Sequence, residues 1–253
     1  MSVPASDPCS DTLARLNIRT ANLRADYNDI TAQKSRTPAD YEAVRQVLGR
    51  AKRLEQEFSC WFESLEGPWT VTPVNWIDYQ VFDFENSLIH PGRVDAYSEM
   101  WIAYHHNIGR SSRLFIWTTI LRCIAWLSEF QDYRLTPEYV TGTQVCRQLI
   151  EDTVASVPYV FGWNKEYDDY MVDRSSFACG TSDAPTVKSL WAIFNMFPFF
   201  TAAASDFALP SERAFLRGRL KYINETIGIH AASGLLQVSF QVSVCYRLVK
   251  TPC

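Results

Sequence analysis

The stretch Leu114–Leu127 is apolar nearly all round, and Arg122 is its one charged residue. A helix apolar on every side has no stripe to turn toward water, so other elements must surround it. That requirement sets the architecture: a multi-helix bundle with this segment inside it. The chain's 253 residues are enough to supply the surrounding layer. They are many for one core and few for two, so we expect a single α-helical domain over 11–253 with a flexible stretch over 1–10.

The neighbouring patterns are helical as well. Leu13, Leu16, Leu23, Tyr27 and Ile30 recur at helical spacing. After a polar break at Gln33–Pro38, Val44, Val47, Ala51, Leu54, Phe58, Trp61 and Leu65 follow in steps of 3 and 4, a heptad-like seam. Two such helices joined by a short break suggest an antiparallel hairpin. The seam fits packing within one domain, with a coiled-coil homodimer as the alternative. Gly67-Pro68 ends the second helix. Residues 69–94, with Pro73, Pro91 and Gly92, read as irregular. Asp95 is positioned to cap a long helix over about 96–130. Thr136-Pro137-Glu138 has the order of a helix start, and Pro158 should stop that helix at Val157. Further helices are expected over 186–204 and 211–229, then an apolar segment over 230–249. No strand–helix alternation occurs, so the fold class is all-α.

Composition excludes several functions. Ten glycines in 253 residues are too few for a turn-rich β fold, and there is no Gly-x-Gly-x-x-Gly or phosphate-loop lysine motif. Net charge is −4, which is not the footprint of a chain that binds nucleic acid along its length. The seven cysteines are widely spaced with no CxxC, arguing against a disulfide framework and against a zinc finger. The most membrane-like stretch, Leu190–Ala204, is roughly 15 residues against the ~20 a bilayer needs, and Asn195 and Pro198 interrupt it. The N-terminal residues have neither a basic head nor an apolar stretch, so no secretory signal is read there.

Chemistry-bearing patterns are sparse. Asp168-Asp169-x-x-x-Asp173 is the sharpest: clustered carboxylates can hold Mg²⁺ and a diphosphate, as in helical terpene synthases. The second motif of those enzymes has no match after Asp173. A solvated acidic loop is the reading taken; a Mg-dependent terpene-synthase-like lyase is the alternative. His105 and His106 are adjacent, so on a helix they point about 100° apart and do not converge on one metal. His90 and His230 lack ligand-type partners at useful spacing. No Gly-x-Ser-x-Gly elbow is present. We therefore assign no catalytic, cofactor or metal residue. Charge is uneven: residues 57–109 carry one Arg and eight acids, and 186–253 carry seven bases and three acids. Arg213, Arg217 and Lys221 form a basic stripe opposite Leu216, Leu220, Ile223 and Ile227. The acidic–aromatic segment Trp69–Glu85 has the composition of an activation segment, but packing of its rings over the bundle is the reading favoured.

Several segments, in order, resemble one family. Ala51 to Trp69 resembles an "A-x-x-L-D…W…P-x-W" helix, and Trp101 with Asn107-x-x-Arg110-x-x-Arg113-Leu114 resembles "W…N-x-Y-R-x-x-R-I", with Gly109 where Tyr is usual. Asp152-x-x-x-Ser156-Val157-Pro158-Tyr159-x-x-Gly162 resembles "D-I-x-A-S-V-P-Y-x-L-G". Leu190-Trp191 resembles an "L-W" helix. Gly218-Arg219-Leu220-Lys221-Tyr222-Ile223 with Gly228-Ile229-x-x-Ala232 resembles the closing "R-L-x-x-I…G-I-x-x-A" helix. These are motifs of fungal zinc-cluster transcription factors, and the match runs over roughly 40–235. The resemblance implies the all-α regulatory region of such a protein, a nuclear location and architectural roles for Asn107, Arg110, Arg113, Pro158 and Tyr159. Arg110 and Arg113 are expected to pair with acids or carbonyls, and Tyr159 to dock back on the bundle. Family members read DNA through an N-terminal six-cysteine, two-zinc cluster with CxxC pairs, which these residues do not contain. The expectation is therefore a regulator that works through protein partners or a small-molecule effector, without direct DNA binding, cofactor or membrane association.

Overall fold

The computed structural model describes residues 7–32, 36–78, 80–87, 89–128, 131–162 and 185–237. The fold is all-α. In order, the described elements are α1 (Pro8–Ala32), α2 (Pro38–Glu63), β1 (Thr72–Ile77), β2 (Gly92–Ala96), α3 (Met100–Leu127), α4 (Pro137–Val160), α5 (Pro185–Ala204), α6 (Pro210–Glu225) and α7 (Ala231–Gln237). Two compact units form. Among the described residues, one takes those up to Leu65 with Ser111–Cys146, and the other takes Glu66–Arg110 and those from Arg147 on.

The first unit is built on the α1–α2 hairpin. Asp7 starts α1, its carboxylate accepting from the backbone N–H of Cys9 and Ser10. Thr37 starts α2 in a capping box with Asp40, and Pro38 follows at the first helical position. The predicted seam is core as far as Trp61: Val44, Val47, Ala51, Leu54, Phe58 and Trp61 are all buried, as are Leu13, Leu16 and Leu23 of α1, while Leu65 lies past the end of α2 and is half-buried. Each such large side chain contributes about 2 kcal/mol by leaving water. Cross-helix pairs fix the antiparallel direction: Trp61 Nε1 donates to the Cys9 carbonyl, Arg19 pairs with Glu57, and Arg50 with Asp26. From Ser111 on, α3 adds Leu114, Ile116, Ile120 and Leu121 to this core. Not one residue of Leu114–Leu127 is exposed, as its all-round apolar sequence requires. Arg113 makes a double contact with the buried Glu55, and Arg24 lies over the Phe115 ring.

In the second unit the region read as irregular is a hairpin. β1 and β2 pair antiparallel, Thr72 opposite Ala96 and Ile77 opposite Gly92, with a register break between Pro73 and Asn75. Ile77, Ile89 and Val94 form its small core. The strands are short and joined by a long connection, and Pro73 in β1 argued against a strand. Asp95 consequently does not cap α3. It is a strand residue, fully buried, and α3 begins after Glu99, whose carbonyl accepts from Ile102 and Ala103. Pro158 does not end α4 either: the helix runs to Val160, and Phe161 N–H still reaches the Val157 carbonyl at 3.0 Å. The Thr136-Pro137 start holds, with Thr136 Oγ1 accepting from Tyr139 N–H. In α6, Phe215, Leu216, Leu220 and Ile223 are fully buried. No described helix is long and apolar enough to cross a membrane. The expected apolar segment over 230–249 is α7 as far as Gln237; its remainder lies outside the described residues.

Candidate functional site

Three motif residues of the second unit, Asn107, Arg110 and Ser156, meet Asn195 in one buried polar joint. Asn107 sits on α3, Ser156 on α4 and Asn195 on α5, and all three are fully buried. Asn107 Nδ2 donates to Ser156 Oγ and to Asn195 Oδ1, each at 2.9 Å. Asn107 Oδ1 accepts from Arg110 Nη1 at 2.8 Å, and the same nitrogen donates to the Tyr97 hydroxyl at 2.9 Å. Asn195 and Ser156 tie back to the carbonyls of Trp191 and Thr153 on their own helices. One amide thus links three helices with its own nitrogen and oxygen both satisfied, while Arg110 Nε is left without a hydrogen-bond partner among the described residues.

A second joint holds the hairpin. Arg93 Nε donates to Asp95 at 2.7 Å, and its Nη2 reaches both Asp95 and Asp152. Burial alone would weaken the Arg93 charge, but the two carboxylates outweigh it and hold the guanidinium protonated beyond its ordinary range. A third joint is Arg147, which grips the buried Glu212 with both terminal nitrogens and takes the Phe207 carbonyl. Glu212 also accepts from Leu209 N–H at the start of α6. Arg110 therefore pairs with neutral oxygens, while Arg113 finds the carboxylate expected of it. Tyr159 docks by its ring against Tyr97, 5.4 Å between centroids.

Three histidines, His90, His105 and His106, are held by backbone and ring contacts. His106 is buried and its Nε2 meets the Trp69 carbonyl at 2.9 Å. Burial, reinforced by the Arg110 charge, pushes it down to about 3, so it is neutral at pH 7. His105 Nδ1 meets the Trp101 carbonyl, and His90 lies between the Phe84 and Phe215 rings. Arg219, in the closing motif, is buried with its guanidinium 5.6–5.9 Å from the rings of Phe161, Phe215 and Tyr222. Its Nη2 reaches the Glu85 carbonyl at 3.4 Å, and burial lowers it to about 10. Among the described residues, no three His, Cys, Asp or Glu side chains group in a way fit to hold a metal ion. Asp168, Asp169 and Asp173 lie outside the described residues.

The surface differs from the packing expected of the acidic–aromatic segment. Trp69 is buried and Phe84 half-buried, but Trp76 is 68% and Phe82 86% exposed. Asp78, Asp83 and Glu85 are exposed beside them in the chain. In β1 the pleat turns Ile77 inward, so Trp76 faces out. Exposed large rings are favoured interface anchors. The basic stripe of α6 is half-buried, and Lys221 reaches Glu85 at 3.3 Å.

No protein-family model matches the chain, and no solved structure does. Transcription factor dbaG of Emericella nidulans is 20% identical over 196 residues, which are 77% of this chain and 44% of that relative. The chain thus spans less than half the length of the curated relative it matches. This distant similarity supports a relationship to a fungal transcription factor.

Proposed function

We propose that this chain is a transcription-factor-like regulatory module of the fungal zinc-cluster family. It acts in the nucleus through protein partners or a small-molecule effector, without catalysing a reaction and without reading DNA itself. The observation that carries the reading is the similarity to dbaG across 77% of the chain. The placement of motif residues supports it: Asn107, Arg110 and Ser156, together with Asn195, are spent on holding helices together. The surface a partner would meet is the acidic–aromatic face with Trp76 and Phe82.

The test tethers the chain to a heterologous DNA-binding domain beside a reporter gene in a fungal host. Reporter output should change, up or down, and Trp76→Ser with Phe82→Ser should bring it back toward the untethered level. Unchanged output from a folded fusion found in the nucleus would overturn the reading. So would product formed from farnesyl diphosphate and Mg²⁺ and lost in Asp169→Ala. Tight binding of specific promoter DNA by the chain alone at physiological salt would overturn the part that excludes DNA.

A further inference from the structure

The α1–α2 hairpin has an outer cleft of about 350 Å³, within the size range of small-molecule sites. Its lining repeats one spacing on both helices. Arg19, Asn22 and Leu23 of α1 stand at positions i, i+3 and i+4, and so do Arg50, Arg53 and Leu54 of α2. This spacing puts each trio on one helix face. Leu23 and Leu54 are buried and form the floor. Arg19, Arg50, Arg53 and Asn22 are exposed at the rim.

The three guanidiniums are not equivalent. Glu57 takes Arg19 through two bonds, one of them 2.7 Å, and Asp26 takes Arg50 at 2.6 Å. Each of these arginines keeps N–H donors beyond those its carboxylate uses. Arg53 lends its charge to Glu57 but makes no hydrogen bond of its own among the described residues. The cleft therefore carries three cations against two acids in a chain of net charge −4. The two acids hold Arg19 and Arg50 in place, so little side-chain freedom is lost when a ligand arrives. Because the helices are antiparallel, Arg50 is level with Asp26. It therefore stands two helical turns from Arg19, roughly 10 Å along the axis. Arg19 stands at one end and the Arg50–Arg53 pair, neighbours at i and i+3, at the other, so that with the leucine floor between the helices the cleft specifies a ligand with an anionic group at each end and a hydrocarbon middle.

We propose that this cleft binds a small organic dicarboxylate, whose two carboxylates bridge the guanidiniums of the two helices over the Leu23–Leu54 floor. Planar carboxylates match the guanidinium fork, and charge-assisted pairs of this kind are the stronger ones. The inference rests on the geometry of the first unit alone. It names a class for the effector that the regulatory reading allows, but the tethered reporter assay can fail without touching it, and the converse holds.

Titration calorimetry on the full chain, at constant pH and ionic strength, tests it with three probes: heptanedioate, heptanoate and inorganic pyrophosphate. Heptanedioate should bind saturably and heptanoate more weakly, because one end is lost. Arg53→Gln should weaken heptanedioate about tenfold while leaving the melting curve unchanged. Arg45→Gln, an exposed α2 arginine outside the cleft, should leave binding as it was. The proposal is overturned by any of three results: no saturable heptanedioate binding, equal weakening by Arg45→Gln and Arg53→Gln, or pyrophosphate binding where heptanedioate does not.

Discussion

Gly218 offers a test in which two opposing effects differ enough in size to give a definite sign. It lies inside α6, where replacing Gly by Ala ordinarily stabilises a helix by about 1 kcal/mol. Here a Cβ would stand 1.7 Å from the Glu85 carbonyl oxygen, 2.6 Å from its carbon and 2.9 Å from its Cα. Real Cβ atoms essentially never approach closer than 3.0 Å. All three obstacles are backbone, so no side chain can swing aside. Relief requires the Glu85 main chain to retreat by more than 1 Å, away from Arg219 and from Lys221, which hold its carbonyl and its carboxylate. Overpacking of this kind costs about 1–3 kcal/mol, and the lost contacts add to it. Gly218→Ala should therefore destabilise by about 2–3 kcal/mol net of the propensity gain. Gly49→Ala in α2 is the control, because its Cβ would meet only the far end of Arg53, at an ordinary 3.7 Å. It should stabilise by about 0.5–1 kcal/mol. Urea denaturation followed by circular dichroism measures both. A Gly218→Ala protein as stable as the wild type would show that the Glu85 segment does not lie against α6.

His106 predicts a pH dependence. Its imidazole ionises at about 3 in the folded chain and near 6.5 when exposed, so the unfolded chain takes the proton first as pH falls. The stabilisation is complete above pH ~6.5 and drains toward pH 3, with about 2 kcal/mol gone at pH 5 from this group alone. A His106→Phe protein whose stability fell equally from pH 7 to 5 would contradict it. Asn107→Ala leaves the buried Ser156, Asn195 and Arg110 each short of a partner and should cost about 3 kcal/mol by denaturant titration. Arg113→Met strands the buried Glu55 carboxylate and should cost about 3–5 kcal/mol, with part of the loss recovered by adding Glu55→Leu. Alkylation mapped by mass spectrometry should mark the exposed Cys60 long before Cys123 or Cys146, whose thiols burial pushes up, that of Cys123 to about 12.

Periodicity made most of the helical fold legible. The 3-and-4 spacing of Val44 to Trp61 and of Leu13 to Leu23 is local information, and those positions are core. The start at Thr136 was equally local, since a hydroxyl before a proline reports the first turn; Thr37-Pro38 has the same order, but its place in a polar break hid it. The errors arose where a residue's role depends on a distant partner. Asp95 has the chemistry of a cap, but Arg93 claims it within the hairpin. Pro158 removes one donor near the end of α4, where few bonds remain to be lost, so the helix tolerates it. The polar joint was the least legible feature. Asn107 meets Ser156 across 49 positions and Asn195 across 88, a convergence that no spacing rule encodes. The motif resemblance singled out Asn107 and Arg110 as architectural, but Ser156 stood in a motif without a role and Asn195 only as an interruption in an apolar stretch.

The groups with chemical capacity bear on what this chain does. A general acid or base works best when it ionises near the ambient pH, so that it can both hold and release a proton. His106 ionises at about 3 and Cys123 at about 12, each several units from neutrality and in opposite directions, and burial is the leading cause in both. Bringing either into range would require opening it to water, at the expense of the packing around Trp69 or along α3. Arg110, Arg113 and Arg147 are equally committed, each bonded to a named partner inside its own unit. What these residues leave outward is recognition chemistry: two exposed rings among acids on one unit and an arginine-rimmed cleft on the other. Surfaces of that kind, where they bind, shift an equilibrium without making or breaking a bond, which is what the proposed regulatory reading asks of them.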